Sequence, residues 1–132
     1  MSWGAFSKLR RAPAIVLLAA ATLAACAPPQ DRPRAWRDFG GDAERGAKEM
    51  VRAQCGACHE IPGVEAADGL VGPPLGQFSR RTVIAGFLPN TPPNLVRWLR
   101  DPQGVLPGNA MPSTGLGDQQ ARDVAAYLYT LR

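Results

Sequence analysis

Histidine occurs once in this chain of 132 residues, as His59, and lysine only twice. One imidazole leaves no room for a Ser/His/Asp relay once that residue is committed elsewhere. A zinc site would also have to be completed by carboxylates, because there is no second pair of cysteines at CxxC spacing. No stretch of four to eight residues alternates apolar and polar side chains well enough to predict a strand. The longest apolar run falls short of the roughly 20 residues a membrane-spanning helix needs. No basic run is interleaved with aromatics, so nucleic-acid binding has no support.

Against that sparse background stands Cys55-Gly56-Ala57-Cys58-His59. Two thiols separated by two residues and followed at once by histidine form the attachment sequence of a c-type haem. Each thiol can add to a porphyrin vinyl group, and the adjacent imidazole falls beneath the ring as the proximal iron ligand. A thiol redox pair and half a zinc site are the competing readings. A thiol oxidoreductase calls for a strand before the motif, whereas the residues preceding Cys55 have helical periodicity.

The first 25 residues stand apart from the fold. Lys8, Arg10 and Arg11 precede an apolar run from Ala12 to Ala25, which has the flanks of an export signal. It ends in Leu23-Ala24-Ala25-Cys26, which resembles the lipobox of bacterial lipoproteins. That resemblance implies cleavage before Cys26 and acylation of its sulfur, with two or more acyl chains making a stable anchor. A chance thiol after an ordinary signal, or a short uncleaved anchor, is the plainer alternative. Export agrees with haem attachment, which in bacteria takes place outside the inner membrane. Loss of the signal removes three of the 15 basic residues and none of the 11 acidic ones, leaving a nearly neutral chain. Residues 26–40 form a tether in which Pro28, Pro29 and Pro33 oppose regular structure. Arg32, Arg34 and Arg37 either rest on anionic headgroups or keep this linker solvated. Trp36 and Phe39 predict that its end folds back on the domain.

Residues 41–132 form one domain, all-α, of about 90 residues, a size at which apolar burial alone is marginal. A central haem gives short helices something large and apolar to pack around. A first helix is predicted over Gly41–Gln54, with Asp42 and Glu44 in its first turn. Ala43, Ala47, Met50, Val51 and Gln54 recur on it at helical spacing. A second is predicted over Asn94–Asp101, capped by Thr91, stopped by Pro102 and carrying Leu95, Trp98 and Leu99 inward. A third runs over Asp118–Leu131, with Ala121, Val124, Ala125, Leu128 and Leu131 on one face. Asp101, Asp118 and Asp123 are expected to be capping or surface carboxylates. Arg97 and Arg100 are expected to present a local positive patch for a docking partner.

Two loops carry the remaining chemistry. Leu70-Val71-Gly72-Pro73-Pro74-Leu75 cannot be helical, and a carbonyl beside its prolines can accept the second N–H of the proximal histidine. In Leu106-Pro107-Gly108-Asn109-Ala110-Met111-Pro112, the thioether of Met111 is held at fixed reach between prolines. Met1 leaves with the signal and Met50 lies on a packing face, so Met111 is the candidate for the sixth ligand, with core filling as its alternative.

These pieces together resemble the monohaem class I cytochromes c. The matching residues are Cys55 to His59, Gly72-Pro73-Pro74-Leu75, Pro107 to Pro112 and Val124-Ala125-Ala126-Tyr127-Leu128. The resemblance implies haem c on Cys55 and Cys58, iron bonds to His59 and Met111, and a Pro73 carbonyl that accepts from His59. It also implies that the first and last helices cross with Gly46 and Met50 against Tyr127. Ser79 to Gly86, Leu88 to Leu95 and Trp98 to Pro102 look like the cytochrome c domain of caa3-type oxidase subunit II. There the equivalents of Arg80, Arg81, Asn90 and Trp98 surround the propionates. No copper ligands or hairpin of membrane helices precede the domain here. The resemblance therefore implies a lipid-anchored carrier of single electrons facing the periplasm, on the inner rather than the outer membrane. Its partners would be a terminal haem–copper oxidase or a quinol or cytochrome reductase, bound transiently or permanently. A ligand-binding sensor or peroxidase is the alternative of a different class.

Overall fold

The computed structural model describes Met1 and residues 39–132. The export signal, Cys26, Arg32, Arg34, Trp36 and Arg37 lie outside the described residues. The elements are α1 (Ala43–Arg52), short 3-10 turns at Cys55–Ala57 and Phe78–Arg80, β1 (Val83–Ile84), β2 (Leu88–Pro89), α2 (Pro92–Arg100), α3 (Pro102–Val105) and α4 (Asp118–Thr130).

α1 is shorter at both ends than its periodicity predicts. Asp42 stands before the helix as its cap, accepting from the Arg45 N–H at 2.8 Å, and Glu44 alone occupies the first turn. Gln54 adopts φ 55°, in the left-handed region, and turns the chain out of the helix into the attachment segment. The inward face is Gly46 and Met50; Val51, expected inside, is 58% exposed. One residue is a rotation of about 100° on a helix, enough to carry Val51 off the buried stripe.

α4 buries Ala121, Val124, Ala125 and Leu128, as its pattern predicts. Its cap is Gly117, whose N–H donates to the Gln120 side chain at 2.9 Å; Asp118 is the first-turn acid. α1 and α4 cross at Gly46, where a Cβ would come within 2.0 Å of the Asp123 carbonyl oxygen and 3.0 Å of the Tyr127 Cβ. Any side chain there would force the helices apart, at a cost of about 1–3 kcal/mol or more. Asp123 is a correction, being neither a cap nor a surface group but 3% exposed. It accepts from the Asp42 N–H at 2.8 Å, from Arg45 at 2.9 and 3.0 Å and from Gln119 at 3.0 Å.

α2 begins at Pro92, directly after the expected Thr91 cap; the first helical positions need no N–H and so accept Pro92 and Pro93. Thr91 occupies the cap position without a side-chain bond. Pro102 does end α2 but also opens α3, whose cap is Asp101, accepting from the Gly104 N–H at 2.8 Å. The hairpin is an addition to the all-α expectation. Its strands pair antiparallel, Val83 with Pro89 and Ile84 with Leu88, around Ala85 and Gly86 at φ 52° and 79°. Strands of two residues are too short to leave an alternating pattern in the sequence.

Phe39 does fold back. Its ring meets Tyr129 edge-on at 6.0 Å, and its carbonyl accepts from Arg122 at 3.0 Å. No helix among the described residues is long and apolar enough to cross a membrane.

Candidate haem site

The turn after Gln54 gathers the chemistry of the attachment segment. Backbone N–H groups of Cys58 and His59 both donate to the Cys55 carbonyl, at 3.2 and 3.0 Å. That coil directs both cysteines and the imidazole to the lining of one cavity. Burial pushes the Cys55 thiol up from its ordinary pKa, the opposite of what an activated redox thiolate requires. Among the described residues no three His, Cys, Asp or Glu side chains come together to hold a metal. Carboxylates therefore do not complete a zinc site around Cys55 and Cys58.

His59 is held from below by the proline loop. Its Nδ1 lies 2.8 Å from the Pro73 carbonyl, so the tautomer protonated at Nδ1 makes this bond and leaves Nε2 as the donor atom. Gly72 packs flat against the ring, with its N–H donating to the Cys58 carbonyl at 2.7 Å. A Cβ at Gly72 would lie 2.2 Å from the imidazole Cε1.

The cavity has a volume of about 530 Å³ and is walled by apolar side chains from every helix but α3, including Met50, Leu95, Leu99, Val124 and Leu128. That size is ordinary for an enclosed cofactor, for which sites run roughly 300–1,000 Å³. Met111 and its neighbours Asn109 and Ala110 also border it. Two thiols, one imidazole and the thioether of Met111 on an apolar cavity are a donor set that fits haem c. Met50 borders the cavity too, from α1. Lys48 is not on the lining and pairs with Glu44 at 2.9 Å.

The expected propionate shell divides in two. Trp98 and Arg81 line the cavity, whereas Arg80 and Asn90 do not. Arg80 ends the Phe78–Arg80 turn in solvent. Asn90 is buried with its amide spent on the protein, donating to the carbonyls of Phe78 at 3.2 Å and Arg81 at 3.0 Å and accepting from the Tyr129 hydroxyl at 3.0 Å. Arg81 donates to the carbonyls of Pro74 and Gly76 and lies over the Phe78 ring at 5.2 Å. Burial pulls its guanidinium down from its ordinary pKa.

A second cavity, of about 580 Å³, lies between α2, α4 and Phe39 and has no thiol, imidazole or thioether on its lining. Arg97 and Arg100 border it, so the positive patch expected of them is diluted. Arg100 pairs with Asp118 at 3.1 Å, and Asp118 also holds Arg122 at 2.7 Å. Those partners keep the Asp118 carboxyl below its ordinary pKa, the Arg122 hydrogen bond being the main cause.

The sequence model of the family described as Cytochrome c matches residues 43–132. The chain belongs to the cytochrome c family. Cytochrome c2 iso-2 of Magnetospirillum fulvum is 39% identical over 90 residues, which cover 59% of this chain and 88% of the relative. Cytochrome c oxidase subunit 2 of Alkalihalophilus pseudofirmus is 35% identical over 91 residues, 68% of this chain but 26% of the relative. The chain thus spans about a quarter of the length of the oxidase subunits it matches. Cytochrome c2 from Rhodobacter sphaeroides shares the fold, with a TM-score of 0.52 at 24% identity over 69% of this chain and 96% of that one. As a cytochrome c, the protein carries haem c covalently, through thioethers to Cys55 and Cys58.

Proposed function

We propose that this cytochrome c is a membrane-tethered carrier of single electrons whose haem iron is held by His59 and Met111. The observation that carries the reading is the single apolar cavity bordered by Cys55, Cys58, His59 and Met111 together. Haem c supplies a one-electron Fe(III)/Fe(II) couple. The chain's own groups decide how that couple is used. The Pro73 carbonyl holds the Nδ1 proton of His59, fixing the ring and raising the donor strength of Nε2. A soft thioether from Met111 favours the reduced metal, which places the potential above that of a bis-histidine site. Leu95, Leu99, Val124 and Leu128 exclude water from the cavity. His59 and Met111 would together hold the iron and leave no open site for a substrate or gas, which favours a carrier over a peroxidase or sensor.

Replacing Met111 with Ala is expected to leave the haem covalently bound. The substitution should also abolish the weak near-infrared band of Met–Fe(III), admit carbon monoxide and lower the midpoint potential. Met50→Leu, at the other thioether on the cavity, should leave that band in place. A wild-type protein that lacks the band and binds carbon monoxide rapidly at neutral pH would overturn the carrier reading.

The tether reading rests on Leu23-Ala24-Ala25-Cys26 and puts the carrier on the periplasmic side, with an oxidase partner as the reason to prefer the inner membrane over the outer. The relatives named cytochrome c oxidase subunit 2 support electron delivery to a haem–copper oxidase. Cys26→Ser should release a red, soluble protein into the periplasm. Retention of that variant in the membrane would argue for an uncleaved helix or a protein partner instead. Native purification from membranes should bring the oxidase with it.

A further inference from the structure

α3 is a single turn placed directly before the loop that carries Met111. Pro107 and Pro112 lack N–H groups, so the loop cannot close itself with a run of backbone hydrogen bonds. Two side-chain amides take over that task. Gln103, in the middle of α3, donates from Nε2 to the carbonyls of Asn109 at 3.0 Å and Met111 at 2.8 Å. Its Oε1 accepts from the Gly108 N–H at 3.1 Å. Asn109 completes the cage, donating to the carbonyls of Pro102 at 2.9 Å and Leu106 at 2.7 Å and accepting from the Met111 N–H at 2.8 Å. Both peptide groups flanking the Met111 side chain are therefore fixed, the N–H by Asn109 and the carbonyl by Gln103. Asn109 belongs to the loop and moves with it. Gln103 belongs to a helix, and so ties the loop to the frame of the molecule.

We infer that Gln103 is the positioning residue that holds the Met111 thioether over the cavity. This rests on Met111 being the sixth ligand. Gln103 is not on the cavity lining, so it acts through the loop alone. A loop held by three hydrogen bonds from one side chain spends little time open, and losing them raises the population in which the sixth position is free.

The test compares holoprotein of the wild type, Gln103→Ala and Gln103→Met, the last keeping length and volume while removing every hydrogen bond. Helical circular dichroism and covalent haem content confirm folding. In both variants carbon monoxide should bind the ferrous protein at least about tenfold faster, and the near-infrared band should fade at lower denaturant than in the wild type. A wild type without that band overturns the ligand reading and this inference with it. A wild type with the band, and variants that match it in both measurements, overturns the role of Gln103 alone. A change in Gln103→Ala with none in Gln103→Met would mean that volume, not hydrogen bonding, is what matters, and would also overturn it. Should both variants fail to fold, the wild-type ferrous protein decides. Slow exchange of the Gly108 amide in hydrogen-exchange NMR supports the Gln103 bond, and exchange at the rate of a free loop overturns it.

Discussion

A methyl group on residue 72 would sit 2.2 Å from Cε1 and 2.5 Å from Nδ1 of His59. Neither atom can yield cheaply, because Nδ1 is bound to the Pro73 carbonyl and the ring follows a cysteine on the same turn. Gly72→Ala is therefore expected to displace the imidazole rather than the loop. The yield of haem-loaded protein should drop severalfold, and the protein that matures should show a shifted ferric low-spin EPR spectrum. An unchanged yield and spectrum would show that the contact relaxes freely. The role of Pro73 was legible in the sequence, because a proline-rich loop offers a carbonyl and cannot be helical. Gly72 drew no notice beyond its place in the motif, since contact with a ring 13 positions earlier exists only in three dimensions. Asn90 was misplaced for a similar reason. Its polarity matches a propionate as well as it matches three protein groups, and only the fold shows which partners it meets.

The elements are joined most firmly at the crossing of α1 and α4, where Asp123 fastens the start of one helix to the middle of the other. Its carboxyl is held below the ordinary carboxylate pKa, chiefly by the Arg45 hydrogen bond and also by the Asp42 N–H and Gln119. A depressed folded-state pKa stabilises the fold fully above the unfolded value near 4, and that contribution is lost as pH falls through the lower, folded value. Asp123→Asn should flatten the acid limb of a denaturation profile below about pH 4 and cost about 1–3 kcal/mol at neutral pH. An acid limb identical to that of the wild type would assign the pH dependence to other carboxylates. The long helices themselves were plain in the apolar periodicity. The Asp118 start of α4 was plain as well, whereas the ends of α1 were not, because Asp42 caps the helix from outside and Gln54 turns the chain out of it. α3 spans barely one helical period and each hairpin strand a single strand period, so no repeat in the spacing of residues announced them.

Over residues 39–132 nine basic side chains stand against nine acidic ones, and the mouth of the cavity is apolar. Val71, Val83 and Leu106 line it and are yet exposed, and among the described residues Arg81 is the one formally charged group on that lining. Little long-range field is available to steer a partner, so encounter should depend on contact of apolar surfaces and, under the proposed tether, on confinement at the membrane. The rate of electron delivery to its oxidant is expected to change less than about threefold between low and physiological ionic strength. A steep salt dependence would instead point to a charged docking face, with Arg97 as a first residue to reverse.

The crossing of α1 with α4 also sets an order of events in time. A chain delivered N-terminus first to the compartment of haem attachment would present Cys55 and Cys58 before the helix that will lie across Gly46. The long sequence separation of that contact makes it a late one to form. The two thiols would then be open to the attachment machinery during an interval that the protein's own last helix brings to a close.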